Sequence, residues 1–199
     1  MPRITPLPVT DLAPQTRLDL EYAQALMGFA PNDVLTMARW PAFLDAVKQV
    51  VHVVYAAGAL DAVLKRLMAT VVSGASGCRY CQAHTAHGAV KMAGADAAKV
   101  AAVWSYQTSE LFNAAERAAL DLALAAGQQP NAVTDDNFAA LRLHYNEQAI
   151  IEMLGVISLF GLFNRWNDSL ATELEAVPLQ HAQEHISAAH WEAGKHSRP

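Results

Sequence analysis

The chain has 199 residues, of which 53% are hydrophobic and 17% are charged, and its formal net charge is −5. This length fits one domain with a substantial core. No lysine or arginine cluster could follow a phosphate backbone, so we expect no nucleic-acid partner. The most apolar run, residues 150–163, is too short to cross a bilayer, so we expect no membrane association. The N-terminus has no apolar leader pattern, which predicts a cytoplasmic protein.

The apolar periodicity of the chain predicts an all-α fold. Residues 1–15 contain four prolines and are predicted to form an extended N-terminal arm. A helical domain is expected over residues 16–178, and a C-terminal helix and tail over residues 179–199. Glycines, prolines and capping residues separate helices predicted at about residues 18–27, 32–40, 41–57, 60–72, 78–94, 96–104, 114–126, 134–144, 146–163 and 179–191.

Both cysteines of the protein, Cys78 and Cys81, are expected at the start of a helix. Gly74 and Gly77 should end the preceding helix, because glycine readily adopts the left-handed backbone. The next glycine is Gly88, which leaves room for a new helix that begins near Cys78. Unpaired backbone N–H groups and the positive end of the helix dipole favour thiolate over thiol in a first helical turn.

The spacing of the cysteines and the following histidine indicates a redox centre. Residues three apart on a helix are neighbours, so Cys81 is expected to contact both Cys78 and His84. A histidine beside a thiol can accept its proton, and a second thiol one turn away can trap the oxidised first one as a disulfide. This pattern predicts a dithiol centre composed of Cys78, Cys81 and His84.

Other interpretations compete with the redox centre. Zinc could bind Cys78, Cys81, His84 and His87, but one helix cannot surround the ion without ligands from elsewhere. Covalent haem attachment needs a histidine directly after the second cysteine, where this chain has Gln82. Two buried thiols that only pack between helices are a third possibility. In the reducing cytoplasm, a Cys-x-x-Cys pair is more often catalytic or metal-binding than a structural disulfide.

The residues around the cysteines resemble a known motif. The segment 67–81, Leu-Met-Ala-Thr-Val-Val-Ser-Gly-Ala-Ser-Gly-Cys-Arg-Tyr-Cys, with His84 close behind it, is similar to the core motif of the carboxymuconolactone decarboxylase/alkylhydroperoxidase D (AhpD-like) superfamily. Residues 115–120 and the block 146–168 resemble the peroxidase-related branch of that superfamily. Together the resemblance covers roughly residues 30–170.

This resemblance implies an AhpD-like helical bundle that assembles as a dimer, trimer or hexamer, without a metal or organic cofactor. It also implies reduction of hydrogen peroxide or an organic hydroperoxide, with electrons from a thiol or dithiol reductant. Cys81 would be the peroxide-attacking thiol, Cys78 its resolving partner and His84 part of a proton relay. Thioredoxin-like proteins attack with the first cysteine, so the order of roles follows from the resemblance alone.

Two positions depart from the family pattern. The glutamate that starts the relay in alkylhydroperoxidase D is Arg66 here, and the relay histidine is Thr85, with His84 one residue earlier. Arginine cannot accept a proton at neutral pH, although it could stabilise a thiolate or be a solvated surface residue. Glu152 is the candidate acid for the relay, and a buried ion pair with an arginine such as Arg165 or Arg66 is the competing interpretation.

Other polar residues are secondary candidates. Tyr80 could donate a hydrogen bond to the site or pack beneath the loop, and His87 could extend the relay or face water. The histidines at positions 181, 185 and 190 are interpreted as one face of a solvated helix rather than as a metal site.

The leading hypothesis is therefore a cytoplasmic, thiol-dependent peroxidase that forms a homo-oligomer. One alternative is a carboxymuconolactone decarboxylase-type enzyme that acts on a lactone acid and does not need the cysteine pair. The other is a non-enzymatic helical oligomer whose thiols pack between helices or sense oxidation.

Overall fold

The computed structural model describes residues 1–186 and 191–197. Within these ranges the chain forms α-helices and short 3₁₀ turns without a strand, which confirms the predicted all-α fold. The 3₁₀ turns lie at Val9–Asp11, Ala102–Ser105 and Gly194–His196. The helices are α1 (Pro14–Met27), α2 (Asn32–Met37), α3 (Pro41–Tyr55), α4 (Ala62–Ala75), α5 (Arg79–Lys91), α6 (Ala97–Ala101), α7 (Ala114–Gly127), α8 (Asp135–Arg142), α9 (Glu147–Leu170) and α10 (Ala176–His185).

Several helix ends differ from their predicted positions for local reasons. Helix α1 begins at Pro14, because proline suits a first helical turn, so the extended arm is shorter than residues 1–15. Helix α4 continues through Gly74, so Gly77, with a φ of +76°, is the glycine that terminates it. The boundary expected between residues 178 and 179 lies inside α10, which begins at Ala176.

Helix α4 lies at the centre of the fold and contacts α5, α7 and α9. Residues 67–73 of this helix are all buried, because other helices cover most of its circumference. Two glycines permit the closest approaches. The ring of Trp104 occupies the space where Gly74 would carry a side chain, and a Cβ on Gly127 would lie 2.7 Å from the Cβ of Ala75.

Helices α1 to α3 form a second apolar cluster against the C-terminal half of α9. The Trp166 indole donates a hydrogen bond to the Thr36 hydroxyl at 3.0 Å, which ties α2 to α9. This attachment brings Asp33 of α2 to helix α5, where its backbone N–H lies 3.3 Å from the hydroxyl oxygen of Tyr80. The buried members of the cluster are Leu12, Leu20, Leu35, Met37, Ala38, Leu44 and Val47.

The C-terminal segment covers the helix that carries the cysteines. Helix α10 packs against α5, and so does the turn Gly194–His196. The backbone N–H of Leu174 donates to the carbonyl of His196 at 2.9 Å, and the His196 side chain is buried. Position 190, which the sequence placed on one face with His181 and His185, lies outside the described residues.

Helix α9 is 24 residues long and has the length and composition of a membrane span. It is the only such helix in the described ranges, and 44% of its most apolar window is buried inside the protein. The core helix of a soluble protein has the same properties, so this feature is weak evidence for a membrane. Its buried residues, which include Met153, Val156 and Leu159, belong to the main core.

Candidate active site

Cys78 and Cys81 lie one helical turn apart at the start of α5. Cys78 caps the helix, and its Sγ accepts a hydrogen bond from the backbone N–H of Cys81 at 3.4 Å. The backbone N–H of Cys78 in turn donates to the carbonyl of Ser73 at 3.0 Å. Both thiols are free, and Cys78 is 0% and Cys81 is 2% exposed. The pair is therefore held by rigid backbone and is largely shielded from water.

Burial controls the acidity of Cys81. Removal from water raises its pKa well above the ordinary value, and the nearby Cys78 sulfur raises it further. A hydrogen bond from Asn167 acts in the opposite direction, but it is the weaker effect. The expectation that the helix start makes this thiol acidic is therefore wrong. Cys81 keeps its proton at neutral pH, so its chemistry requires a base.

Asn167 of α9 links Cys81 to a buried carboxyl group. Its side-chain Nδ2 donates to the Cys81 Sγ at 3.5 Å and to an oxygen of Asp33 at 3.3 Å. Burial raises the pKa of Asp33, while the nearby His84 has an opposing and smaller effect. Asp33 is thus a buried acid with an elevated pKa, connected to the thiol by a single amide.

His84 is hydrogen-bonded to a carboxylate rather than to the Cys81 thiol, which its sequence spacing had suggested as its partner. Its Nε2 lies 2.6 Å from an oxygen of Glu175, and its ring stacks on Tyr80 with centroids 4.1 Å apart. No hydrogen bond joins His84 to either cysteine within residues 1–186 and 191–197. Burial is the largest single effect and lowers the pKa of His84, but the charge of Glu175, its hydrogen bond and the charge of Asp33 together outweigh burial, so the pKa is raised.

Glu175 is the centre of this polar network. Besides His84, it accepts hydrogen bonds from the Tyr80 hydroxyl at 2.9 Å and from the backbone N–H of Asn32 at 2.5 Å. Burial raises the pKa of Glu175, while the charge of His84 and the hydrogen bonds lower it, with a net decrease. Glu175 is therefore ionised, and Glu175, rather than the candidate Glu152, is the acid in contact with His84.

Cys81 and His84 both line a cavity of about 740 Å³ between α1, α3, α4 and α5. The cavity walls are mainly apolar, and polar side chains from α1 to α5 complete the lining. Arg66 is one of these polar residues, so it is not merely a solvated surface residue. The lining includes Leu20, Met27, Met37, Leu44, Val47, Tyr55, Phe160 and Phe163, together with Asp33, Arg66, Tyr80 and Thr85.

Glu152 has a structural position away from the thiols. Its carboxylate accepts hydrogen bonds from the backbone N–H groups of Ala59 and Leu60 at 2.8 and 3.1 Å. It also lies 3.5 Å from the ammonium group of Lys65. Neither the relay role nor an ion pair with Arg165 or Arg66 is therefore supported, and Glu152 instead stabilises the loop between α3 and α4.

His87 is buried rather than solvated, with 7% of its surface exposed. Its ring packs against Phe29 and His181, with centroids 5.7 and 5.5 Å away. Burial lowers its pKa to about 4, so the imidazole is neutral at physiological pH. The expectation that His87 faces water is wrong, because α10 covers this part of α5.

A separate polar cluster surrounds Cys78. Its Sγ, a carboxylate oxygen of Asp168 and a ring nitrogen of His196 lie within 4.8 Å of one another. Nδ1 of His196 lies 2.7 Å from the carbonyl oxygen of Thr172, so Nδ1 carries the proton and Nε2 is left as an acceptor. Thiolate, imidazole and carboxylate are a ligand set that suits zinc, so these side chains could hold such an ion.

The four candidate zinc ligands of the cysteine helix do not form one ligand cluster. Among the described residues, the group that could hold an ion contains Cys78 but not Cys81, His84 or His87. The side chains of Cys81 and His84 instead contact Asn167 and Glu175.

Sequence reasoning missed the residues that come from distant parts of the chain. Asp33, Asn167, Glu175 and His196 lie 48 or more residues away from Cys81 and form no local motif with it. Asn167 lies within the resembling block 146–168, but no pattern in the sequence assigned a role in the site to Asn167 or Asp33. Isolated polar residues beside apolar segments were the one signal that could have identified them.

Comparison with known proteins supports a single family. Residues 41–125 match the carboxymuconolactone decarboxylase family. Two crystal structures of the debrominase Bmp8, one of them a cysteine-to-alanine variant in complex with 2,3,4-tribromopyrrole, are 34% identical to this chain. They align with a TM-score of 0.85 over 91% of this chain and 96% of Bmp8.

Two other relatives are more distant or are covered less completely. The AhpD-core, peroxidase-related protein from Ralstonia eutropha JMP134 is 24% identical, with a TM-score of 0.77 over 88% of this chain and 93% of that protein, a similarity that shows the fold alone. The uncharacterised Escherichia coli K12 protein YnjA is 31% identical over 111 residues, which are 56% of this chain and 60% of YnjA. The fold, the family match and the similarity to Bmp8 together show that this chain belongs to the carboxymuconolactone decarboxylase/alkylhydroperoxidase D superfamily.

Proposed function

We propose that this protein is a thiol-dependent oxidoreductase that reduces a small organic electrophile through Cys81 and Cys78, with an organic hydroperoxide as its substrate. Members of the family are generally enzymes. The observation that carries the proposal is the position of Cys81 in the wall of a cavity of about 740 Å³, one turn from a second thiol. A cavity of this size and apolar lining favours an organic hydroperoxide over hydrogen peroxide.

The first step is attack by the Cys81 sulfur on an oxygen of the hydroperoxide. Because Cys81 is protonated, a base must first remove its proton, and ionised Asp33, which shares the Asn167 amide with Cys81, is the candidate. His84, which is charged in its pair with Glu175, is a proton donor rather than a base. The S–O bond then forms as the O–O bond breaks, and the departing alkoxide takes a proton to become an alcohol. Cys81 is left as a sulfenic acid.

The second step is attack by the Cys78 sulfur on the oxidised sulfur of Cys81. The S–O bond breaks, a disulfide forms and water leaves with the proton of Cys78. An external thiol or dithiol then reduces the disulfide, so each cycle transfers two electrons to the hydroperoxide. His196 and Asp168 lie beside Cys78, where they can assist its deprotonation.

Reductive dehalogenation of a halogenated heteroaromatic compound is a second candidate. The similarity to Bmp8 and the apolar lining of the cavity support it. The Cys81 thiolate would take the halogen, so that an S–halogen bond forms and a C–halogen bond breaks. The ring carbon keeps the electron pair and receives a proton. Cys78 would then form the disulfide and release halide, so both candidates end in the same oxidised protein.

Turnover with dithiothreitol tests the proposal and separates the two candidates. Cumene hydroperoxide, hydrogen peroxide and a brominated pyrrole are supplied in parallel to wild type, Cys81→Ser, Cys78→Ser and the surface control His144→Ala. We expect turnover of the organic hydroperoxide by wild type and the control, and loss of turnover in both cysteine variants. Bromide release with no peroxide turnover would favour dehalogenation, and full peroxide turnover in Cys81→Ser would contradict both.

A disulfide assay tests the shared chemistry directly. Mild peroxide should convert Cys78 and Cys81 into an intramolecular disulfide that is visible by mass spectrometry. If both thiols stay reduced, the non-enzymatic interpretation is favoured. Activity on a lactone acid in the double Cys→Ser variant would instead favour the decarboxylase alternative.

The cellular setting is part of the same proposal. We propose a cytoplasmic protein that associates with copies of itself as a dimer, trimer or hexamer, and that has no nucleic-acid or membrane partner. Trp40, Val53 and Ile151 are 62%, 71% and 65% exposed, and contacts between copies would remove these large apolar side chains from water. Sedimentation of the purified protein measures the oligomeric state, and a monomer at micromolar concentration would contradict the proposal.

A further inference from the structure

Arg66 extends into the cavity without a carboxylate partner. Its guanidinium lies over the ring of Tyr55, 3.8 Å from the centroid, and one of its nitrogens lies 3.5 Å from the sulfur of Met92. No ion pair involving Arg66 occurs in the part of the chain that the structure describes. A guanidinium has five N–H donors, and these neighbours satisfy few of them.

The position of the guanidinium is fixed by its surroundings. Gly88 of α5 has no side chain, and a Cβ there would lie 3.1 Å from Nη1 of Arg66. The Tyr55 ring supports the group from another direction by a cation–π contact. Arg66 therefore does not need a carboxylate to hold its orientation, so its remaining donors are available to a ligand.

Tyr55 supplies a second unpaired group at the same place. Its hydroxyl is buried and has no hydrogen-bond partner, and its side chain lines the cavity. Burial raises the pKa of Tyr55, while the charge of Arg66 lowers it and Cys81 raises it, so the hydroxyl is within electrostatic reach of both residues. At neutral pH it is a donor, because it is protonated. A buried donor without an acceptor costs free energy until a ligand supplies one.

The carboxylates of the cavity are engaged elsewhere. Asp33 accepts from Asn167 and from the backbone N–H of Val34, and Asp19 lies 2.5 Å from Lys48. Lys48 and His84 also line the cavity, but each is paired with a carboxylate, whereas Arg66 lies beside the neutral Tyr55 hydroxyl with no acid paired to it among the described residues.

We propose that Arg66 and Tyr55 form an anion subsite that binds the carboxylate of a small organic acid, with the rest of that molecule in the apolar cavity beside Cys81. The guanidinium would contribute two parallel hydrogen bonds to the carboxylate and the tyrosine one. This inference rests on the proposed function, because it adds a negatively charged group to the electrophile that is reduced at Cys81. The substrate class is then a carboxylic acid that carries the reducible group on an apolar body.

Equilibrium binding of benzoate and of benzamide, its neutral analogue of similar shape, tests the subsite by isothermal titration calorimetry. We expect wild type to bind benzoate at least about tenfold more tightly than benzamide, since hydrogen bonds to charged groups contribute this much or more. Arg66→Gln should abolish the preference, Arg66→Lys should retain part of it, and Tyr55→Phe should weaken benzoate binding while benzamide binding is unchanged. Near-UV circular dichroism establishes that each variant is folded.

Lys48→Gln is the matched control. Lys48 is another cation of the cavity wall, but Asp19 and Asp45 neutralise it at 2.5 and 2.8 Å, so its loss should leave the preference intact. Equal affinity for both probes, a preference that survives Arg66→Gln, or no benzoate binding at millimolar concentration would overturn the proposal. Binding is measured without turnover and should persist in Cys81→Ser. The binding result therefore does not depend on the outcome of the redox assays, and the two proposals can fail separately.

Discussion

His84 and Glu175 form a charged pair in the interior, with Nε2 and Oε2 separated by 2.6 Å and side-chain exposures of 12% and 9%. Each group stabilises the charged form of the other, so the pKa of His84 is raised and that of Glu175 is lowered. The pair joins α5 to the segment between α9 and α10. It also provides a proton-carrying imidazole beside the cavity that contains Cys81.

The Glu175→Gln variant should lose a pH-dependent part of the free energy of unfolding. The His84 contribution is complete below its unfolded pKa of 6.5 and is lost as pH rises through the higher folded pKa. The Glu175 contribution is complete above its unfolded pKa of 4.5 and is lost as pH falls through the lower folded pKa. The variant should therefore be less stable than wild type by about 3 kcal/mol near pH 6, and the difference should shrink at alkaline pH. Urea denaturation from pH 4 to 9 measures it, and a difference that stays constant over this range would contradict the pairing.

The His87→Phe variant should be more resistant to acid than wild type. Burial lowers the folded pKa of His87 to about 4, against an ordinary value of 6.5. A neutral buried histidine favours folding above its unfolded pKa, and this contribution is lost as pH falls from 6.5 toward 4. The wild type should lose roughly 3 kcal/mol more than the variant over that interval. Thermal unfolding at pH 7 and pH 4 measures the difference, and parallel losses in the two proteins would show that His87 is charged in the folded state.

The Asn167→Leu variant should make Cys81 harder to deprotonate. The Asn167 amide donates to the sulfur and lowers its pKa, so removal of the donor should raise that pKa further. The measurement is the pH dependence of Cys81 alkylation by iodoacetamide, followed by mass spectrometry. Asn164→Leu, one turn earlier on α9, is the matched control, because Asn164 is buried and its amide atoms have no hydrogen-bond partner. Equal shifts in both variants would indicate a packing effect.

The Glu152→Gln variant should be less stable while its thiol chemistry is unchanged. The carboxylate caps the backbone N–H groups of Ala59 and Leu60, and these hydrogen bonds lower its pKa. Loss of the charge weakens both bonds and leaves Lys65 without its acid, at a cost of about 1–3 kcal/mol. Urea denaturation measures the stability, and peroxide turnover measures the chemistry. A tenfold loss of turnover without a change in stability would restore the relay role.

The sequence was most informative where structure is determined locally. Apolar periodicity, prolines and capping residues predicted the helices, and the Cys-x-x-Cys spacing identified the start of α5. The acidity of Cys81 was predicted wrongly because its burial depends on α9 and on the N-terminal helices, which no local pattern describes. The partner of His84 was also unpredictable, since Glu175 lies 91 residues further along the chain.

Glu152 of α9 shows how far the type of a residue alone can predict its partners. Glu152 was expected in a buried ion pair or in a relay, and the need for a partner was a sound expectation. The partner is Lys65 together with two backbone N–H groups, because the loop before α4 folds over this carboxylate. Only the three-dimensional arrangement distinguishes Lys65 from the arginines as the cation.

The hydrogen bond to the Cys78 sulfur makes the stability of helix α5 depend on whether the cysteines are reduced or oxidised. In the reduced form the sulfur accepts the N–H of Cys81 and so completes the first turn of α5. A disulfide sulfur is a poorer acceptor, so oxidation would loosen the N-terminus of that helix and destabilise it by up to about 1 kcal/mol. Amide hydrogen exchange at Cys81 should then report the redox state of the protein, with slower exchange in the dithiol form.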